Sequence, residues 1–169
     1  MTIRQETVRD VAAIARVERA AFERDPHRPA GTDPTEYRIV DTLREAGALT
    51  VSLVAEDAGE ILGHVACSPV QIDGRPGRWY GLGPVGVRPD RQGQGIGSAL
   101  VRGAIARLRS ARAAGVVLVG DPGFYGRFGF RAEARLIFDG VPAEYFLCLP
   151  LEGAVPAGTV TYHEAFSLP

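Results

Sequence analysis

The chain has 169 residues, 46% of them hydrophobic and 23% charged, with a formal net charge of −1. That length supports one domain with its own core; the balance excludes a wholly disordered or collagen-like chain, and no nucleic-acid partner is expected. All 19 basic residues are arginine, which excludes a lysine-dependent P-loop and any Schiff-base mechanism on the protein's side.

The opening Met1-Thr2-Ile3-Arg4-Gln5-Glu6 lacks the apolar stretch of a signal peptide, and Thr2 to Glu6 alternates like a first strand. Thr7 heads a helix with Asp10 as its capping-box partner, and Val11, Ile14, Val17 and Ala21 line one face at helical spacing. Asp25 to Gly31 holds two prolines and a glycine and reads as a loop. A second helix is expected with Asp33 as N-cap, Pro34 first, Tyr37, Val40 and Leu43 inward, and Gly47 at its end. Leu49 to Ala55 and Ile61 to Cys67 form a hairpin across Glu56 to Glu60. Ser68 to Arg78 reads as a turn-rich connection, and Trp79 to Val87 as the third strand of an antiparallel meander.

Arg88 to Gly97 then feeds a long helix, Gly95 to Ala113, whose buried stripe is Ile96, Leu100, Ala104 and Leu108. The unbroken apolar run Val116 to Val119 has the look of a central parallel strand. Strand, helix and strand make a right-handed βαβ crossover. A short helix at Pro122 to Phe128, a strand from Phe130 and another from Tyr145 to Leu149 complete the body, with Thr159 to Phe166 as an edge strand or a docked tail. The fold class is therefore mixed α/β, one domain over residues 1–169 with a core of about 2–149 and a tail of 150–169. No run is long enough for a membrane span, and Cys67 and Cys148 show no metal-type spacing. The expectation is a cytoplasmic protein with no metal and no membrane partner, its cysteines read as buried small hydrophobes, with a nucleophile as the alternative.

The chemistry concentrates in Gln92-Gly93-Gln94-Gly95-Ile96-Gly97-Ser98. Glycines allow close backbone approach and conformations closed to other residues, and a helix start presents unpaired N–H groups to an anion such as a diphosphate. A glycine-rich turn without a ligand is the plainer reading. A dinucleotide fingerprint fails in both frames: counting from Gly93 puts Ser98, and from Gly95 puts Leu100, where the third glycine belongs.

Gln92-x-x-Gly95-x-Gly97 resembles the phosphate loop of the GNAT superfamily of acetyl-CoA-dependent N-acetyltransferases, with Val85-Gly86-Val87-Arg88-Pro89 similar to the strand before it. Phe124-Tyr125-Gly126-Arg127-Phe128-Gly129-Phe130 resembles the family's Tyr-x-x-x-Gly-Phe signature, and the order of elements matches from Thr2 to about Leu149. Leu53 to Asp57, Gly63-His64-Val65 and Gly120-Asp121-Pro122 are similar to a bacterial subgroup of predicted acetyltransferases.

The resemblance implies a GNAT fold whose central sheet splays where pantetheine lies, between the strand of Val85 to Val87 and the strand at Val116. Pro84, flanked by Gly83 and Gly86, suits a bulge or break there, or simply a sheet edge. Acetyl-CoA would be held by the main chain of Val85, Gly86 and Val87 and by Gln92, Gly93, Gln94, Gly95, Ile96, Gly97 and Ser98. A main-chain N–H near Val85 to Val87 would stabilise the oxyanion, and Tyr125 would protonate the departing thiolate or, on the plainer reading, pack as a core tyrosine. No carboxylate lies on Trp79 to Gly83, so no base is assigned. His64 is either a base acting through water or a satisfied core histidine, and Glu164 in the tail is a further position. Many relatives place an asparagine about seven residues before the tyrosine, whereas here Asp121-Pro122 lies four before, a departure from the family pattern. The acceptor, a small-molecule or peptide amine, is expected between the first two helices, the loop at Asp25 to Gly31 and the tail. A homodimer fits the family, and the alternative function is a non-catalytic acyl-CoA-binding sensor.

Overall fold

The computed structural model describes residues 1–168; residue 169, the last of the expected domain, lies outside them. The chain begins with β1 (Thr2–Gln5), a single 3-10 turn at Val8–Asp10 and α1 (Val11–Phe22). The Asp10 carboxylate accepts the Thr7 N–H at 2.7 Å, the contact expected of that pair, and is also gripped by Arg4 at 2.8 Å. The guanidinium beside it holds the Asp10 carboxyl down to about 2.

Helix α2 spans Glu36–Glu45, two residues later than expected. Asp33 pairs with Arg19 at 3.4 Å, and Thr35 takes the N-cap position, its carbonyl accepting from Arg38 and Ile39. Val40 and Leu43 face inward as read, joined by Ile39, and Gly47 follows the helix at φ +69°.

Strands β2 (Val51–Asp57), β3 (Glu60–Ile72) and β4 (Arg75–Val87) form the meander. The connection expected over Ser68 to Arg78 is instead continuous strand, broken only at Asp73-Gly74. Both turn residues have positive φ (53° and 72°), as do Ala58 and Gly59 in the preceding hairpin, which is the geometry two-residue hairpins require. The crossover runs through α3 (Ile96–Ser110), which stops short of Ala113 because Arg112 turns left-handed, and into β5 (Gly115–Val119).

After β5 come the one-turn α4 (Pro122–Tyr125), β6 (Arg131–Ala132), β7 (Leu136–Ile137), β8 (Phe146–Pro150) and β9 (Gly158–Thr161). The path β1-β2-β3-β4-β5-β8-β6 is antiparallel except for the parallel β4–β5 pair, so the mixed sheet is as expected. β9 pairs with Gln71 and Ile72 of β3 and with β7, and a 3-10 turn at Glu164–Ser167 follows. The tail therefore both adds a strand and docks. Strand β7 has no counterpart in the sequence reading.

Helix α3 packs Ile96, Leu100, Ala104 and Leu108 against Leu53, Ala55 and Val65 on one sheet face. Ile14 of α1 and Val40 of α2 meet Val54 and Ala66 on the other. β5 is apolar from Val116 to Val119 because it lies at the centre of the sheet, and the buried polar residues of the meander, Ser52, His64 and Ser68, stand out against apolar neighbours. Among the described residues, no helix is long and apolar enough to cross a membrane.

Candidate active site

The sheet opens between its two parallel strands. β4 and β5 pair only at Trp79↔Gly115, Tyr80↔Val116 and Gly81↔Val117. Beyond Gly81, β5 stays with β8 as far as Val119↔Phe146, while β4 stays with β3 as far as Gly63↔Val87. A register shift separates Val65↔Val85 from Cys67↔Leu82, and the Gly83–Pro84 peptide within it is cis. The irregularity expected around Pro84 thus lies at the point of divergence.

Which main-chain groups face the gap follows from strand alternation. The Arg88 N–H bonds to the Leu62 carbonyl at 2.9 Å, and the register continues through Gly63↔Val87, His64↔Gly86 and Val65↔Val85. Gly86 therefore turns its N–H and carbonyl toward β3, whereas Val85 and Val87 turn theirs into the gap. The Val87 carbonyl accepts from Gln92 Nε2 at 3.1 Å, which fastens the following loop to the end of the strand.

That loop makes the cradle. Gly93 (φ +76°) and Gly95 (φ +83°) adopt left-handed backbone, with open space where a Cβ would project. Gly95 is the N-cap of α3, and the Ala99 N–H is the first to bond back, to the Gly95 carbonyl at 3.0 Å. The N–H groups of Ile96, Gly97 and Ser98 are thus the leftover donors of a fifteen-residue helix. A cavity of about 300 Å³ lies over them, bounded by Val87, Gln92, Gly93, Gly95, Ile96, Gly97, Ser98 and Phe124, with Arg91 and Arg127 at its edge. Oriented N–H donors, a positive helix end and two guanidinium groups suit a diphosphate. Gln94 sits outside this lining and accepts from Arg91 Nε at 3.1 Å. Arg127, stacked 4.6 Å over the Phe124 ring, was not singled out from sequence, whereas Arg88 is engaged by Asp90 and Glu60.

Adjoining along β4 is a second cavity, of about 430 Å³, in the gap itself. Val85 and Val119 form opposite walls, and Tyr125 reaches in from α4. The Tyr125 ring is clamped edge-on by Phe124 and Phe130 at 4.9 and 6.0 Å between centroids, and burial pushes its phenol above the ordinary value. Asp121 caps α4 by accepting the Gly123 N–H at 2.9 Å. The far side of the cavity is built by Phe22 of α1, Glu36 and Ile39 of α2, Phe138, and Tyr162 and Phe166 of the tail. Trp79, His163, Glu164 and the loop at Asp25 to Gly31 take no part in the lining.

Behind Gly86 lies a buried polar chain that the sequence concealed. Glu18 and His64 are both fully buried, and Glu18 Oε1 meets His64 Nδ1 at 2.6 Å. His64 Nε2 meets Ser52 Oγ at 2.8 Å, Ser52 bonds to Glu6, and Arg44 Nε reaches Glu6 at 2.8 Å. His64 is accordingly a partnered core histidine. Burial raises the Glu18 pKa against the pull of His64, with the Glu36 charge adding to the rise. Glu18 Oε2 is left without a partner, and so is Glu36 Oε2, which is buried at the gap.

The model of the acetyltransferase (GNAT) family matches residues 12–130. The Escherichia coli K12 protein described as the uncharacterized N-acetyltransferase YhbS is 35% identical over 99% of this chain and 99% of its own. The crystal structure of YhbS in complex with CoA superposes with a TM-score of 0.87, covering 99% of this chain and 92% of that one. A GNAT family acetyltransferase from Brucella melitensis, solved in complex with acetyl-CoA, is 49% identical with a TM-score of 0.85, covering 98% and 97% of the two chains.

Proposed function

The chain belongs to the GNAT family of acetyltransferases, and on that premise we propose that it transfers the acetyl group of acetyl-CoA directly to a primary amine. One observation carries this reading: the freed main chain of Val85 and Val87 runs without interruption from the gap to the N–H cradle at Gly93 to Ser98. The relatives solved with acetyl-CoA and CoA support the same choice of cosubstrate. The two cavities fit it: one offers donors for a diphosphate, and the other offers main-chain groups of alternating polarity for an amide-bearing arm.

When bound, acetyl-CoA supplies an acetyl group activated as a thioester. The Val85 N–H points into the gap and donates to the carbonyl oxygen as it gains charge. Once the ammonium has given one proton to solvent, the neutral amine attacks the carbonyl carbon. As the C–S bond breaks, Tyr125, which keeps its proton through the neutral range, delivers it to the departing sulfur, and the phenolate regains a proton from the new amide nitrogen. Gln92 holds the cradle to the strand, so both ends of the cosubstrate are registered on one rigid segment. The acceptor enters from the α1, α2 and tail side, opposite Tyr125.

Thiol release from acetyl-CoA in the presence of a panel of primary amines tests this. The expected result is turnover by the native protein, a loss of about 100-fold in kcat for Tyr125→Phe, and retained acetyl-CoA affinity in calorimetry. Tight binding without turnover on any amine identifies a sensor instead, and equal turnover by both proteins removes Tyr125 from the proton transfer.

A further inference from the structure

Taking the side of the gap cavity remote from β4 as the acceptor site, with the arm of the cosubstrate along β4, and so resting on the reading above, we infer that the acceptor is a monoamine on an apolar, ring-sized body, its ammonium held by Glu36. The walls carry the body's chemistry: Phe22, Phe138, Tyr162 and Phe166 surround the side remote from β4. Phe138 and Tyr162 lie 5.1 Å apart and Tyr162 and Phe166 5.0 Å apart, centroid to centroid, a continuous aromatic surface. Such a surface favours an apolar or aromatic group and gives nothing to a strongly hydrated one.

The charge is as selective. Among the described residues lining this cavity, Glu36 is the one charged side chain. Its Oε2 is buried without a hydrogen-bond partner, as is the hydroxyl of Tyr162, another residue of the lining. A carboxylate oxygen so placed is costly until a cation pairs with it. A primary amine arrives in water as an ammonium and supplies that cation with N–H donors to spare.

The same arrangement rejects two common classes of amine. A carboxylate next to the amine, as in a free amino acid, would meet Glu36 with no guanidinium in the lining to receive it. A polyamine would bring a second ammonium into aromatic surroundings that hold a single carboxylate. Glu36 thus selects for one isolated positive charge, with the apolar body filling the remainder.

The test uses the full chain saturated with CoA, titrated by calorimetry with phenethylamine, phenylalanine and spermidine, and the same amines in the thiol-release assay. Phenethylamine is expected to bind, with phenylalanine at least about tenfold weaker and spermidine weaker still. Glu36→Gln, which keeps the shape and removes the charge, should weaken phenethylamine by about 10- to 100-fold with CoA affinity unchanged. Equal affinity for phenethylamine and phenylalanine, or for native protein and Glu36→Gln, overturns the inference, as does failure of phenethylamine to bind. Glu36-dependent binding with no acetylation of any amine upholds the acceptor class while overturning the catalytic reading.

Discussion

Gly86→Ala isolates a position where β4 and the buried carboxylate of Glu18 compete for space. Gly86 lies outside the left-handed region, so alanine is conformationally acceptable, and in open space it would gain about 0.5 kcal/mol over glycine. The space is not open. A Cβ there would stand 2.6 Å from Glu18 Oε2, 3.1 Å from its carboxyl carbon and 3.2 Å from Ala21 Cβ. Glu18 cannot swing aside, because it is fully buried and held by His64 at 2.6 Å. Overpacking of this kind costs about 1–3 kcal/mol. The assay is urea denaturation of the four proteins of a double-mutant cycle, with Glu18→Ala as the second substitution. Gly86→Ala should cost about 1–3 kcal/mol in the native background and within about 0.5 kcal/mol in the Glu18→Ala background, giving a coupling of at least about 0.5 kcal/mol. Equal costs in both backgrounds would show that Glu18 does not set the need for glycine.

Three further outcomes follow from other contacts. Asp10 is held below its ordinary pKa, so its contribution of about 2 kcal/mol is present above pH 4 and lost as pH falls toward 2; Asp10→Asn should flatten that part of the stability profile in chemical denaturation. Burial raises the thiol pKa of both Cys67 and Cys148, so a thiol reagent should label neither in the native protein at neutral pH and both after unfolding; rapid native labelling of Cys67 would contradict the packing. A Cβ at Gly120 would lie 2.5 Å from Tyr125 Cε2, so Gly120→Ala should lower kcat by at least about tenfold through displacement of the phenol, with acetyl-CoA affinity retained.

The cradle was legible because its parts are contiguous: the glycines, the helix they open and the preceding strand lie within fourteen residues, Val85 to Ser98, and local backbone rules suffice to join them. Tyr125 was singled out through its family signature, and its side chain lines the gap. The Asp73-Gly74 hairpin carried a local signal of equal strength, yet Pro69 and Pro76 in the flanking strands mask it, since proline inside a strand reads as a break. Glu18 and Glu36 could not be read as site residues. Glu18 follows Val17 on the buried side of α1, and its partner His64 is 46 residues away. Glu36 sits in the first turn of α2, where a carboxylate is ordinary helix chemistry, and only the packing of the tail over the gap turns it into the charge of a cavity. Long-range pairing decides both, and periodicity carries no trace of it.

The most direct test of the cradle is calorimetry of acetyl-CoA against the native protein and Ser98→Asp at near-physiological salt. Ser98 is the third residue of α3, where an acidic side chain favours the helix by about 0.3–1 kcal/mol while placing a negative charge among the donors proposed for the diphosphate. The prediction is saturable binding by the native protein and at least tenfold weaker binding by Ser98→Asp, with thermal stability maintained or raised. Undiminished affinity in the variant, or no uptake of acetyl-CoA by the native protein, would contradict it.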